Sequence, residues 1–405
     1  ITPLLIDKYL IQSETRSITL KCLTTIMNST ENIDSIPNFQ QSIIQYFQSI
    51  LTIVNNNILP TTSTLDLNEI YTQSTSQDQS FLQDWELFLC TFLTRHRTIL
   101  ENMISTETPQ YKEILLSSHQ YVLQLSKIDD QEIFKTALDY WHDLVSALFI
   151  EIEHFPFDQL SPFLQDISWG TGAINPLILK KFPLKRNIYS DVCSQLRTII
   201  IDHMVKPEEI QITMTEDGEF IKEVFTETDN IQLYETEREV IVLLTHLDVD
   251  DMEYILWNRL LQLKEQNILF NENGDFFNKI CWAIGAISGT MRVEAEQQFI
   301  TRILTLLWEL YSLPMKKEET IIYSSNVMFI VGQYSRFLKN HWPFFHKIMF
   351  QLFEMMHNEN EAIKDMACDT FLKITKKCKY QMATLQDGDT DNKPFIKIIL
   401  ENMPN

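Results

Sequence analysis

Six cysteines, nine histidines and a dense run of acidic residues are the groups in this 405-residue chain that could do chemistry. The cysteines, at positions 22, 90, 193, 281, 368 and 378, form no CxxC pair and have no histidine at zinc spacing. His341 and His346 are five apart, which does not place two imidazoles on one helix face as a metal pair requires. Cys368, in "DMACDTFLKITKKC", shares an amphipathic pattern with Met366, Phe371 and Ile374 and has no histidine nearby in sequence, so it reads as a structural thiol and not as a nucleophile. Cys368 and Cys378 fall ten apart on one predicted helix and cannot bridge each other. Reduced, mostly buried thiols are expected. No P-loop, GxGxxG after a strand, HExxH, GxSxG or kinase signature occurs, so the chain is read as a non-enzyme with no catalytic residues, metal or cofactor. What remains is the chemistry of recognition.

The elements that carry recognition surfaces are helices. Only 8 glycines occur in the chain, too few for a fold built of hairpins and tight turns. The net charge of -22 excludes direct nucleic-acid binding, which needs clustered Lys and Arg, and suits a basic protein partner. No uncharged apolar run approaches the ~20 residues of a membrane span, so no membrane association is expected. A start at Ile1 and not at a methionine reads as a piece of something longer.

Apolar residues recur at i, i+3, i+4 and i+7 over 276–291, 294–313, 319–338, 341–357 and 361–379, separated by short polar or proline-containing joints. The starts near 294 and 341 lie about 47 residues apart, the period of paired-helix HEAT repeats, which predicts an all-α HEAT solenoid in which each helix pair covers its neighbour. Similar units are legible at 17–28, 38–56, 80–103, 112–125, 130–153 and 189–205. Between them, 155–186 carries four prolines and two glycines and reads as an irregular loop. The expected organisation is repeats over 1–205, an inserted loop over 206–230, and repeats over 231–405 with the recognition surface at about 294–379.

Two segments exceed what a solenoid needs. "HWPFFHKIMFQLFEMMH" (341–357) is apolar over roughly 240° of the helix circumference. Phe345, Met349, Leu352, Phe353 and Met356 form one stripe, and Phe344, Ile348 and Met355 an adjacent one. By pattern alone such stripes are core, and in a solenoid the second face can pack on the next repeat. The other segment, "EEIQITMTEDGEFIKEVFTETDN" (208–230), alternates apolar residues about Asp217-Gly218 and predicts a β-hairpin. Its acids are Glu208, Glu209, Glu216, Asp217, Glu219, Glu223, Glu227 and Asp229, against Lys206 and Lys222. It is either a solvated loop or an acidic arm that touches a basic partner or the inner surface of the solenoid.

The ordered motifs "KPEEI", "THLDVDDME", "CWAIGAISGTM", "SSNVMFIVGQYSRFLKNHW" and "DMACDTFLKITKKCK" resemble the exportin-1 family of karyopherin-β nuclear export receptors, with weaker similarity in "LKCLTTI", "LFLCTFL" and "EIFKTALDYW". The resemblance implies a central piece of a HEAT-repeat receptor that shuttles between nucleus and cytoplasm through nuclear pores, with nucleoporins among its partners. It implies a hydrophobic groove between adjacent repeats for leucine-rich export signals of cargo proteins, RanGTP as a protein co-ligand on the inner surface, and an acidic hairpin that couples the two. Carried over by position, the groove walls are Leu304, Trp308 and Tyr311 on one side and Phe344, Ile348 and Met355 on the other. The floor is Ser324, Val327, Met328 and Phe337, closed by Met366, with Lys317 at the mouth. The acidic hairpin corresponds to 208–230.

This chain departs from the family pattern at several groove positions. Tyr311 stands where members sensitive to thiol-reactive inhibitors have a cysteine, so resistance to such inhibitors is expected. Gln351 and Thr320 replace lysines, and Met355 replaces a phenylalanine, which implies a broader or shifted set of signals. The competing expectations are a structural HEAT scaffold or adaptor and a nuclear import receptor.

Overall fold

The computed structural model describes residues 2–29, 37–60, 67–104, 109–155, 180, 182–207, 212–214, 220–222, 228–266, 275–311, 315–338, 342–358, 360–385 and 393–402. Among these the regular structure is helical apart from two three-residue strands. The chain forms two compact units, the described residues up to Ile199 and those from Ile200 onward. No described helix is long and apolar enough to cross a membrane. The expected irregular loop lies outside the described residues over 156–179 and at 181; its end forms a short 3-10 turn at Lys185–Asn187.

The first unit is organised around the 29-residue Ser76–Ile104 helix, against which Arg16–Asn28, Pro109–Leu125 and Gln131–His154 pack. Trp85, Phe88 and Phe92 recur at i, i+3 and i+7 on that helix and are fully buried, with Phe47 of the Pro37–Asn57 helix stacked on Phe92 at a ring separation of 3.6 Å. Each such side chain contributes about 1.5–3 kcal/mol by leaving water. The Gln131–His154 helix starts where its sequence dictates. Asp130 is its N-cap, accepting from the backbone N–H groups of Glu132 (3.0 Å) and Ile133 (3.1 Å).

In the second unit, three helices form one closely packed layer, with Asp275–Ala286 against Lys317–Gln333 and Lys317–Gln333 against Glu361–Ala383. Gly285 permits the first contact, because a Cβ there would sit 2.2 Å from Cε1 of Phe329. The partner helices Val249–Gln266, Val293–Tyr311 and Trp342–Met356 form the other layer, and Trp342–Met356 packs on Glu361–Ala383 as a helix pair. The expected helix over 276–291 stops early, at Ala286. The chain turns at Gly289 (φ +99°), whose N–H donates to Glu296 at 2.5 Å, and Arg336 pairs with the same carboxylate. A glycine is required at that φ. The Thr228–Leu247, Val249–Gln266 and Phe395–Asn402 helices had no counterpart among the expected elements.

The two strands, Ile212–Met214 and Phe220–Lys222, pair antiparallel with Thr213 opposite Ile221. The Asp217-Gly218 turn and every acidic residue assigned to the loop except Asp229 lie outside the described residues. Asp229 is exposed in the first turn of the Thr228–Leu247 helix, where its charge favours the positive helix end. The backbone of strand Phe220–Lys222 runs beside the Glu361–Ala383 helix, which carries Lys364, Lys373, Lys376, Lys377 and Lys379.

Candidate functional site

The residues of interest in the second unit come from five helices, with Phe337 on the short Ser335–Leu338 helix and Met366 on Glu361–Ala383. Val293–Tyr311 and Trp342–Met356 supply the sides, and Lys317–Gln333 lies in the layer beneath. Of the expected floor, Ser324, Met328, Phe337 and Met366 are buried and Val327 is half-buried. Trp308, Gln351 and Met355 are half-buried, and Tyr311 is 38% exposed. The walls differ from expectation at two positions. Leu304 and Ile348 each retain only 5% exposure, so they are part of the packing between layers and do not line an open furrow. The reason is visible in their neighbours on the same helices. Ile303, Leu306, Leu307, Met349 and Leu352 are buried on either side, and an aliphatic chain among them gains more by joining that core than by facing water. The side chains of Phe344 and Lys317 lie outside the described residues; both occupy the first turn of their helices.

The Val293–Tyr311 and Trp342–Met356 helices meet through a cation and a ring. Lys347 Nζ sits 3.6 Å from the centroid of the Trp308 ring. Trp308 begins an aromatic ladder, with Tyr311 at 6.1 Å, Tyr323 a further 5.5 Å on, and Phe277 stacked on Tyr323 at 5.8 Å. The buried Tyr323 hydroxyl donates to the carbonyl of Leu307 and so fixes the Val293–Tyr311 helix to the layer below. Sequence reasoning missed Lys347, Tyr323 and Phe277. The tyrosine and phenylalanine fall on ordinary core stripes, and nothing in a single-helix pattern separates a lysine that covers a ring from a solvated one.

The excess apolar surface of the Trp342–Met356 helix has a second cover. Phe395, fully buried, lies at 5.8 Å from Trp342, 5.3 Å from Phe345, 4.3 Å from His346 and 6.1 Å from Phe350. The signal that could have found it is the apolar run "FIKIIL" at 395–400. The thiols are mostly buried, as expected, with Cys368 among the exceptions. It is exposed, as is Cys22, whereas Cys90, Cys193, Cys281 and Cys378 are buried.

A buried carboxyl lies on the Thr228–Leu247 helix. Glu237 of the Thr228–Leu247 helix is fully buried and accepts from the backbone N–H of Val205 at 2.8 Å, so it ties the chain entering the loop to the helix that follows it. Burial pushes its pKa up to about 8, opposed by that hydrogen bond and by Lys279. From about 4.5 to about 8 the unfolded chain gives up this proton while the folded chain keeps it, so stability falls as pH rises through that window and levels off above it. Glu237→Gln keeps an acceptor for Val205 and removes the titration. Its Tm should fall less than that of the parent between pH 6 and pH 8.5, and parallel Tm curves for the two proteins are the contrary result.

Three stretches of the chain match described exportin repeats: residues 113–149 the "Chromosome region maintenance or exportin repeat", 185–252 "CRM1 / Exportin repeat 2", and 275–318 "CRM1 / Exportin repeat 3". The chain is 39% identical to Exportin-1 of Schizosaccharomyces pombe, a match that covers 100% of this chain and 36% of that protein. It is 33% identical to Protein EXPORTIN 1A of Arabidopsis thaliana, covering 96% of this chain and 34% of that protein. The chain therefore spans about a third of the length of the curated relatives it matches. Among solved structures, importin beta in an ammonium sulfate condition aligns with a TM-score of 0.44 at 11% identity, over 93% of this chain and 40% of that one.

Proposed function

This chain belongs to the exportin-1 family, and from that premise we propose that it is part of a nuclear export receptor that takes leucine-rich export signals of cargo proteins into the furrow between Val293–Tyr311 and Trp342–Met356. The observation that carries the reading is the seam itself: Trp308, Tyr311, Val327 and Met355 keep accessible apolar surface above a buried floor of Met328, Phe337 and Met366. Accessible aromatic and methionine side chains over a packed floor suit an amphipathic peptide that buries regularly spaced anchors, with affinity from apolar area and selectivity from spacing. Phe344 and Lys317 belong to the same proposed site by position. RanGTP is the proposed co-ligand, nucleoporins are further proposed partners, and shuttling through the nuclear pore is the proposed itinerary.

The acidic loop is the proposed coupling element. Its strand Phe220–Lys222 lies beside the Glu361–Ala383 helix, whose five lysines complement Glu216, Asp217, Glu219 and Glu223 in charge, and that helix also carries Met366 of the floor. A loop that holds this helix in one position biases the furrow toward closure, and a ligand that captures the loop instead releases it. The test is fluorescence anisotropy with a labelled leucine-rich peptide. Saturable binding that is lost when the peptide's anchors are replaced by serine is the expected result. Deletion of 213–226 should raise the affinity in the absence of Ran. Indifference to the anchors overturns the receptor reading in favour of a scaffold, and an unchanged affinity in the deletion overturns the coupling.

A further inference from the structure

The Trp308 ring, the largest apolar surface on the furrow's first wall, carries a cation from the opposite wall. Lys347 is exposed, yet its ammonium rests 3.6 Å from the ring centroid. Among the described residues it makes no ion pair, and the acid nearest Trp308 in sequence, Glu309, is held by Lys264 at 2.6 Å. An anchor side chain cannot lie on that ring face until the ammonium leaves, which forfeits a cation–π contact. The displaced ammonium is tethered at the furrow's edge, one position before the buried Ile348, and needs a new counter-charge within a side chain's reach.

We propose that Lys347 is a specificity-determining residue of the furrow, selecting peptides that carry a carboxylate beside the anchor that takes its place on Trp308. This rests on the furrow being the peptide site. A neutral peptide displaces Lys347 into water and gains nothing in exchange, whereas an Asp or Glu flanking the anchor receives the ammonium as an ion pair at the rim of an apolar contact. The local lysine also offsets the long-range repulsion that a chain of net charge -22 exerts on an acidic ligand. Selection at this point uses a position separate from Gln351 and Thr320, where the family pattern has lysines.

The experiment uses two labelled leucine-rich peptides with identical anchors, one with Asp and Glu in its spacers and one with Asn and Gln. Both are titrated against the intact chain and its Lys347→Gln and Lys347→Arg variants. The parent should prefer the acidic peptide by about fivefold to tenfold at low salt. Lys347→Gln should bring that ratio close to one, chiefly by tightening the neutral peptide, while Lys347→Arg keeps it, because a guanidinium both stacks on the ring and pairs with a carboxylate. A ratio that is the same in the parent and Lys347→Gln overturns the role of Lys347 and leaves the furrow standing. Binding of neither peptide to the parent overturns the furrow, and Lys347 with it.

Discussion

Glu101→Ala destabilises the first unit by about 3–5 kcal/mol, the cost of breaking a buried charge cluster by removing one partner. Glu101 has 3% of its side chain exposed and gathers three donors: Arg97 Nε at 3.2 Å, Lys185 Nζ at 2.8 Å and the Tyr189 hydroxyl at 2.7 Å. Alanine leaves the Arg97 guanidinium, itself 7% exposed, with Asp143 at 3.0 Å as its remaining acid and strands the Tyr189 hydroxyl in the core. The surroundings cannot absorb the loss. Tyr140 already donates to Nε2 of His119 at 2.5 Å, and the other nitrogen of that ring donates to the Leu115 carbonyl at 2.7 Å. Burial lowers the His119 pKa to about 4, so the ring is neutral and brings no charge to the cluster. Three controls set the scale. Glu101→Gln, which keeps an acceptor for Tyr189, should cost clearly less than alanine. Asp143→Ala, removing a partner that is 48% exposed, should cost about 1 kcal/mol or less. Lys185→Ala should fall between them. Urea unfolding followed by circular dichroism and tryptophan fluorescence reads all four, and equal shifts for Glu101→Ala and Asp143→Ala would show that burial of the cluster is not what makes it stabilising.

That cluster could not be read from sequence, and the reason is general to this chain. Arg97, Glu101, His119, Tyr140 and Lys185 stand on four separate elements and Tyr189 in the turn before Ser190–His203, and no single stretch of sequence brings them together. Helices announce themselves locally. The 3.6-residue period locates Arg16–Asn28, Val293–Tyr311 and Trp342–Met356 to within a residue or two of their observed ends, because polar or proline-containing joints bound each apolar stripe. Boundaries failed where a tertiary contact decides them. The helix ending at Ala286 reads as continuing to Met291 until Glu296 and Arg336 are seen to organise the turn at Gly289. In the Thr228–Leu247 helix the buried Glu237 interrupts the apolar stripe of Leu233, Val240, Ile241 and Leu244, which hides its period, whereas the stripe of Val249–Gln266, Met252, Leu256, Leu260 and Leu263, is unbroken.

The furrow was legible only in part, again for reasons of distance along the chain. Trp308, Tyr311 and Met355 keep accessible surface. That Leu304 and Ile348 sit in the core follows from how the two layers close, which no single helix encodes. The same holds for Phe395, about forty residues beyond the helix whose spare apolar face it covers. Part of the excess apolar surface in 341–357 is therefore spent on the chain's own last described helix, and the proposed peptide site narrows to the strip around Met355 and the Trp308 ring.

Trp308 is accordingly the residue whose loss should most weaken peptide capture. It presents the largest side chain on the furrow, is half-buried, and is stiffened from behind by the Tyr311, Tyr323 and Phe277 ladder, so it needs little ordering when a ligand arrives. Tryptophans held in this way are the commonest energetic centres of interfaces, and truncation to alanine costs roughly 2 kcal/mol or more, about a 30-fold loss of affinity. Trp308→Ala should show that loss for an export-signal peptide, measured on protein whose far-UV circular dichroism matches that of the parent. Tyr311→Ala should cost less, because Tyr311 is the more exposed of the pair and stands at the end of the helix. Trp308→Phe separates the two roles of the ring: it keeps an apolar face for an anchor but gives Lys347 a weaker perch, so neutral peptides should lose less affinity to it than to alanine. Isothermal titration with one neutral and one acidic peptide measures each of these, and an affinity in Trp308→Ala within about twofold of the parent means that the peptide binds elsewhere on the chain.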